Sequence, residues 1–136
     1  GGDSSSLRSL AKSFNIVDNV FFMGVKDHPH GIFNWLDTVD IYLQPSRTEG
    51  LPRSVIEALS RACLVIGTDV GGIPELVGND YLIEVDDAEN LSKLILTFSN
   101  KSQLLNAAYS NYERAKNYEV EFLASKKDEF YKKFLG

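Results

Sequence analysis

The chain has 136 residues, and its hydrophobic content of 43% is enough to bury the core of one ordinary domain. The 14 basic and 19 acidic residues give a net charge of −5 without a cluster of Lys and Arg among aromatic residues, which argues against a nucleic-acid partner. The single cysteine, Cys63, cannot form an internal disulfide, so we expect a reducing, cytoplasmic setting.

Short apolar runs alternate along the chain with stretches of helical period, which is typical of βαβ units that build a parallel sheet. The first part predicts a helix at Ser4–Phe14, a strand at Asn19–Gly24, a helix at His30–Leu36 and a strand at Val39–Pro45. The remainder predicts helices at Pro52–Ala62, Pro74–Val77, Lys101–Tyr118 and Val120–Leu135, a helix capped by Asp86, and strands at Cys63–Thr68 and Tyr81–Val85. We therefore predict an α/β, Rossmann-like fold with helices on both faces of a parallel sheet.

The chain opens with "GGD", whereas a doubly wound domain usually opens with a strand, a turn and a helix. We therefore expect residues 1–136 to be a single, partial domain of a larger protein. No run approaches the roughly 18 apolar residues that span a bilayer. Any membrane association is accordingly expected only through a part of the protein outside this chain.

Ligands of open α/β sheets bind beyond the carboxyl ends of the strands, where the stretch "TEGLPRSVIEAL" links a strand to a helix. Glu49 lies on this turn, and Glu57 lies about one turn into the predicted helix, which places the two carboxylates roughly 6 Å apart along the helix axis. Both carboxylates can face the same opening at the N-terminus of the predicted helix, where the first backbone N–H groups of the helix are also exposed. Such a site suits a nucleotide diphosphate sugar if Arg47 and Arg53 offset the charge of the diphosphate.

A purely structural interpretation of the same residues is open at this point. Glu57 and Arg61 are four residues apart and can form an ion pair on a solvated helix face, and the helix dipole favours Glu49 at the N-terminus. The sequence contains no GxGxxG or GxxxxGK motif and no Asp-x-Asp triplet. The stretch "DHPH", Asp27–His30, lacks a third partner for a metal, and Cys63 is expected in the core, so no metal is predicted.

Together, "VFFMG", "VDIYLQPSRTEGLPRSVIEALSRACLVIGTDVGGIPELV" and the helical tail resemble the C-terminal domain of retaining GT-B glycosyltransferases, specifically glycosyltransferase family 4. The resemblance covers nearly the whole chain. Its most specific element is the pair Glu49 and Glu57, preceded by "PS" and followed by a buried strand and "GG-x-PE". It implies a cytoplasmic enzyme of polysaccharide biosynthesis that transfers a hexosyl group from a nucleotide diphosphate sugar to an acceptor hydroxyl, with retention of configuration and without a metal or other cofactor.

The resemblance also implies a role for individual residues. Glu49 lies against the donor sugar as the catalytic, charge-orienting residue, and Glu57 binds the ribose hydroxyls. The backbone N–H groups of Gly50 and Leu51 contact the sugar and the diphosphate. Further donor-binding residues are Ser46 and Arg47 beside the first glutamate and Met23, Gly24 and Val25 beside the nucleotide base.

Two parts that the family normally has are missing from this chain. The segment that normally supplies an Arg and a Lys to the diphosphate is absent, as is the N-terminal domain that binds the acceptor. We therefore expect this chain alone to be inactive or nearly so. Two other functions stay open, namely a non-catalytic interaction module of Rossmann-like fold and a GT-B epimerase acting on nucleotide sugars.

Overall fold

The computed structural model of the protein describes residues 4–118, 124 and 131–133. The chain divides into two compact units, Gly1–Ile32 and Phe33–Gly136. Within the described residues, no helix combines the length and the apolar character that crossing a membrane requires.

The first unit contains helix α1, Ser5–Ser13, followed by a 3₁₀ turn at Val17–Asn19. The side chain of Ala11 is buried, and the guanidinium of Arg8 lies 4.1 Å from the ring centroid of Phe22. This cation–π contact fastens α1 to the segment that follows the 3₁₀ turn. The unit ends inside helix α2, His30–Leu36, which has the predicted bounds.

The strand predicted at Asn19–Gly24 is wrong. Asn19 ends the 3₁₀ turn, and residues 20–27 carry no strand pairing even though Val20 has an extended backbone (φ −114°, ψ 113°). An extended segment becomes a strand only when a neighbour accepts and donates its backbone hydrogen bonds. The described sheet pairs only strands of the second unit with one another, so this apolar segment has no ladder partner there.

The second unit is a three-stranded parallel sheet in the order β1-β2-β3, flanked by helices. Its elements after α2 are β1 Ile41–Gln44, α3 Arg53–Ser60, β2 Leu64–Thr68, α4 Ile73–Leu76, a 3₁₀ turn Asn79–Tyr81, β3 Leu82–Ile83, α5 Ala88–Thr97, α6 Lys101–Ala115 and a 3₁₀ turn Lys116–Tyr118. In register, Ile41 lies beside Leu64, and Thr68 lies beside Ile83. The predicted α/β fold is therefore confirmed.

The central strand β2 forms the core of this unit. All five of its residues are buried, as the continuous apolar run predicts for a strand covered on both faces. Helix α3 packs nearby through Val55, Ala58 and Leu59, which recur at helical spacing and are fully buried. The loop 45–52 links the carboxyl end of β1 to the start of α3.

Helix α6 is anchored by a buried polar residue. Asn111 is fully buried and donates from Nδ2 to the carbonyl oxygen of Cys63 at 3.1 Å. This hydrogen bond ties α6 to the residue that precedes β2. The predicted helix at Lys101–Tyr118 is confirmed as α6 plus a 3₁₀ turn. The helix predicted at Val120–Leu135 lies outside the described residues except at positions 124 and 131–133.

The cap of α5 differs from the prediction. The helix begins at Ala88, and its N-cap is Asp87, whose carboxylate accepts the Asn90 N–H at 3.0 Å. The side-chain amide of Asn90 also donates to Asp87, and the backbone and side-chain hydrogen bonds from Asn90 together hold the pKa of Asp87 below its ordinary value. Asp86 instead has a positive φ of 62° and forms part of the preceding turn. The spacing from Asp86 to Glu89 therefore resembles that of a capping box, but the N-cap of α5 lies one residue later, at Asp87.

Candidate functional site

The carboxyl ends of the three parallel strands lie at one edge of the sheet. β1 ends at Gln44, β2 at Thr68 and β3 at Ile83. The loops that follow are residues 45–52, 69–72 and 84–87. This edge is the position at which open α/β sheets bind ligands.

Glu49 is held in a small hydrogen-bond network at the end of β1. Its Oε1 accepts from Gln44 Nε2 and from Ser46 Oγ, both at 2.7 Å. Gln44 Nε2 also donates to Ser46 Oγ at 2.9 Å, which closes a triangle of three polar groups. Among the described residues, Oε2 of Glu49 has no hydrogen-bond partner. The half-buried carboxylate is therefore fixed through one oxygen and has its second oxygen available for a ligand.

The glycine pair after β2 supports the loop that carries Glu49. Gly71 has φ +54°, and a Cβ at this position would meet the carbonyl group of Glu49. Gly72 donates its N–H to the Gly50 carbonyl oxygen at 2.7 Å. A Cβ on Gly72 would lie 2.7 Å from the same oxygen. The two loops thus pack backbone against backbone, which only residues without a side chain allow.

Thr68 adds a second link between these loops. It is buried at the end of β2, and its Oγ1 donates to the Ser46 carbonyl oxygen at 2.5 Å. A longer contact of 3.4 Å reaches the carbonyl oxygen of Gln44. The hydroxyl therefore fixes the backbone of β1 where the chain turns toward Glu49.

Arg47 bridges the first and third loops at this edge. Its Nε lies 3.0 Å from Asp86 Oδ1, and both side chains are largely exposed, at 76% and 64%. An exposed pair of this kind contributes little to stability because water screens it. The guanidinium is therefore free to exchange Asp86 for a stronger anion at little cost.

Glu57 lies in the second turn of α3 and is half-buried. The N-cap of α3 is Pro52, which makes no side-chain cap hydrogen bond to the first turn. The start of α3 therefore offers backbone N–H groups beside the Glu49 loop. A Cβ added to Gly50 would meet no atom within 4 Å, so the backbone there is accessible to a ligand.

Arg61 makes a two-point ion pair with Asp37 of the α2–β1 turn. Its Nε and Nη2 each donate to a carboxylate oxygen of Asp37 at 2.6 Å. The pair lowers the pKa of Asp37 and raises that of Arg61. The sequence predicts Arg61 only as a partner for Glu57, since the approach of Asp37 depends on the tertiary fold.

The predicted base-binding residues belong to the first unit. Gly24 has φ +68°, as expected for a turn glycine, while Met23 is half-exposed and Val25 is 90% exposed. The contact of Met23, Gly24 and Val25 with a nucleotide base stays a prediction, as do the donor contacts of the other predicted residues.

Two minor candidates concern metals and thiol chemistry. Within the described residues, no group of three or more His, Cys, Asp or Glu side chains is arranged to hold a metal ion. Cys63 is buried, as predicted, with Sγ 3.5 Å from the Leu36 carbonyl oxygen. Burial raises the pKa of the Cys63 thiol to about 11, so the group is neutral at pH 7.

Sequence reasoning missed Gln44, Thr68 and the packing role of Gly71. The one available signal for Gln44 is a polar residue that ends an otherwise apolar strand immediately before the Pro-Ser turn. Thr68 offers a similar signal at the end of β2. Neither pattern indicates which atoms the side chain contacts, because the partners of Gln44 depend on how the following loop folds back and those of Thr68 lie at and after the end of β1.

The fold is that of the C-terminal domains of GT-B glycosyltransferases. The chain superposes on the C-terminal domain of the glycosyl transferase group 1 family protein LpcC from Francisella tularensis with a TM-score of 0.76 and 24% identity, covering 86% of this chain and 63% of that one. It also superposes on sucrose-phosphate synthase from Thermosynechococcus elongatus with a TM-score of 0.84 and 22% identity, covering 95% of this chain and 33% of that one. At these identities the likeness establishes the fold alone.

The family follows from the sequence match. Residues 1–116 match the model of the family described as "Glycosyl transferases group 1", and the chain therefore belongs to that family. CapJ of Staphylococcus aureus is 34% identical over 94 residues, which is 69% of this chain and 24% of CapJ. The O-antigen biosynthesis glycosyltransferase WbnH of Escherichia coli is 31% identical over 121 residues, which is 79% of this chain and 35% of WbnH.

A third relative carries a more specific description. The lipopolysaccharide core biosynthesis mannosyltransferase LpsB of Rhizobium meliloti is 28% identical over 124 residues, which is 86% of this chain and 34% of LpsB. Across these three relatives, this chain spans about a quarter to a third of their length.

Proposed function

We propose that this chain is the donor-binding part of a retaining glycosyltransferase of family 4, which transfers a hexosyl group from a nucleotide diphosphate sugar to an acceptor hydroxyl. The observation that carries the proposal is the Glu49 carboxylate. One oxygen is fixed by Gln44 and Ser46, and the other is open at the carboxyl edge of the sheet. A fixed acceptor with an open oxygen suits a sugar hydroxyl.

The diphosphate is proposed to lie at the start of α3. The backbone N–H groups of Gly50 and Leu51 and the helix N-terminus favour an anion there. Arg47 lies in the same loop as Gly50 and Leu51. Its ion pair with Asp86 is exposed and weak, so the guanidinium can turn from Asp86 to a phosphate oxygen. In this arrangement Ser46 acts on the donor through Glu49, because its hydroxyl donates to that carboxylate.

The reaction breaks the bond between the sugar C1 and the diphosphate oxygen and forms a bond from C1 to the acceptor oxygen. The leaving diphosphate gains negative charge, so N–H groups and guanidinium groups aimed at it lower the barrier. Glu49 would hold the sugar and stabilise the positive charge that develops at its ring. Glu57 would bind the ribose hydroxyls of the nucleotide and would act on binding of the donor.

The acceptor is proposed to bind to a second, N-terminal domain of the full-length protein, and the remaining cationic groups are proposed to come from the segment that the family places before the equivalent of this chain, without a metal or other cofactor. The relatives include glycosyltransferases whose names refer to O-antigen and lipopolysaccharide core biosynthesis. Their names support a role in bacterial polysaccharide assembly, and we propose that this chain acts in the cytoplasm.

A donor panel tests this proposal. The full-length protein is incubated with UDP-, GDP- and ADP-sugars and a set of candidate acceptors, and the released nucleotide and the glycosylated product are quantified. We expect one nucleotide sugar to be consumed only when acceptor is present, and NMR of the product to show the anomeric configuration of the donor. An inverted product would reject retention. Conversion of the sugar without acceptor would favour an epimerase, and the absence of donor binding would favour an interaction module.

A further inference from the structure

Gln44 is surrounded by polar partners on both sides of its amide. Its Nε2 donates to Glu49 Oε1 at 2.7 Å and to Ser46 Oγ at 2.9 Å. Its Oε1 accepts from the Tyr42 hydroxyl at 3.0 Å and more weakly from Ser54 Oγ at 3.5 Å. Both N–H groups and both acceptor positions of the amide are therefore engaged.

The orientation of this amide is determined by chemistry. An ionised carboxylate only accepts hydrogen bonds, so the nitrogen of Gln44 must face Glu49. If the amide turned over, its oxygen would oppose the carboxylate oxygen, and the Tyr42 hydroxyl would lose its acceptor. Tyr42 therefore acts on Glu49 through Gln44.

The same amide connects three elements of the site edge. Tyr42 and Gln44 belong to β1, Glu49 to the following loop, and Ser54 to the first turn of α3. All four side chains are half-buried. In such partly dehydrated surroundings, hydrogen bonds are stronger than in water and restrict the side chains that make them.

We propose that Gln44 is a positioning residue, which with Tyr42 holds the Glu49 carboxylate in the rotamer that turns Oε2 toward the donor sugar. This inference rests on the proposed function, since it assigns Glu49 to the sugar. Gln44 itself donates no hydrogen bond to the substrate, because both of its N–H groups are occupied by Ser46 and Glu49. Its effect on the reaction therefore passes through Glu49 alone.

The first experiment is a double-mutant cycle in the full-length protein. Gln44→Leu is expected to lower kcat/KM about 10- to 100-fold, by analogy with the loss of groups that orient metal ligands. Tyr42→Phe removes only the hydroxyl and should cause a smaller loss with the same melting temperature. In the Glu49→Gln background, both substitutions should have little further effect. Equal losses in both backgrounds would overturn the proposal, because Gln44 would then act independently of Glu49.

The second experiment uses Gln44→Glu and a pH profile. The new carboxyl would stand against Glu49, and two carboxylates at this separation do not ionise together easily. When protonated, it can donate to Glu49 as the amide does. We expect the activity of this variant, relative to wild type, to rise as the pH is lowered. A pH profile with the same shape as that of the wild type would overturn the proposal, because a merely structural role of Gln44 would leave the shape unchanged.

The two proposals fail in different ways. If the wild type transfers no sugar from any donor in the panel, the proposed function fails before a Gln44 variant is made. If the wild type is active and Glu49→Gln is impaired while Gln44→Leu and Tyr42→Phe match the wild type, only the role of Gln44 is refuted. Thermal unfolding of every variant separates a lost fold from a misplaced carboxylate.

Discussion

Gly71 lies against the carbonyl group of Glu49 so closely that a Cβ at position 71 would be 2.0 Å from the carbonyl oxygen. This relationship makes the glycine loop after β2 part of the support for the candidate site. The position of Glu49 thus depends on two loops that are separated by a helix and a strand in the sequence.

Gly71→Ala should damage both stability and donor binding. The left-handed backbone and the contact with Glu49 together should cost more than about 2 kcal/mol of unfolding free energy. Chemical denaturation of the variant and calorimetry with the preferred nucleotide sugar measure the two effects. Wild-type stability in Gly71→Ala would contradict the packing described here.

Gly50→Ala is the matched substitution in the partner loop. A Cβ at Gly50 meets no protein atom within 4 Å, so stability should stay unchanged or rise slightly. Donor affinity should nevertheless fall, because the added methyl group occupies space beside the proposed diphosphate. Unchanged affinity would argue against ligand contact at Gly50.

Thr68→Val should weaken the turn that leads to Glu49. The substitution keeps the shape of the side chain but removes the hydroxyl that donates to the Ser46 carbonyl oxygen. An acceptor without its donor at this buried site costs about 1–3 kcal/mol. Thr68→Ser retains the hydroxyl and is the control. Denaturant titration should rank the wild type first, the serine variant second and the valine variant last, and equal stability of the serine and valine variants would contradict the role of this hydrogen bond.

Asp37→Asn should destabilise the protein at neutral pH but not in acid. The Arg61 pair lowers the pKa of Asp37 in the folded state, so its stabilisation is present above the unfolded pKa and is lost as the pH falls through the folded pKa. The melting temperatures of wild type and variant should therefore converge as the pH falls below 3.8, the ordinary value for this carboxyl. Asp40→Asn in the same turn is the control. A difference that persists in strong acid would show that the ion pair is not its cause.

Cys63 should resist thiol reagents while the protein is folded. Burial raises its pKa from 9.0 to about 11, so the reactive thiolate is scarce near pH 8. Because the unfolded thiol ionises more readily, the protein should also lose stability as the pH rises above about 9. Labelling with a disulfide reagent, with and without denaturant, measures the protection. Rapid labelling of the folded protein would contradict the buried position.

The sequence predicts the parts of this structure that depend on local pattern. The run Cys63–Thr68 is continuously apolar and becomes the buried central strand, and the helical period after Pro52 becomes α3. The segment Asn19–Gly24 has the same apolar character but no ladder partner among the described residues, so pattern alone misleads there. Strand formation needs a neighbour, which local sequence does not specify.

The candidate site also has features that the sequence reveals and features that it does not. The pair Glu49 and Glu57 is visible in the sequence because both residues flank one strand-to-helix turn. The contacts of Glu49 with Gln44 and Gly71 are not visible, because the first depends on how the loop after β1 folds back on the strand and the second arises only when the loops after β1 and β2 meet. The sequence likewise does not distinguish Asp86 from Asp87 as the N-cap of α5, because the difference lies in the backbone angle of Asp86.

Glu49 and Glu57 are proposed to bind the donor of a sugar-transfer reaction. The most direct test measures sugar transfer by the full-length protein and its Glu49→Gln and Glu57→Gln variants, with Glu89→Gln on α5 as a matched control. We predict a loss of about 100-fold or more in kcat/KM for Glu49→Gln, as for removal of a group that stabilises transition-state charge. Glu57→Gln should act mainly by raising KM, and the control should match the wild type. Near-normal transfer by both site variants would contradict the account.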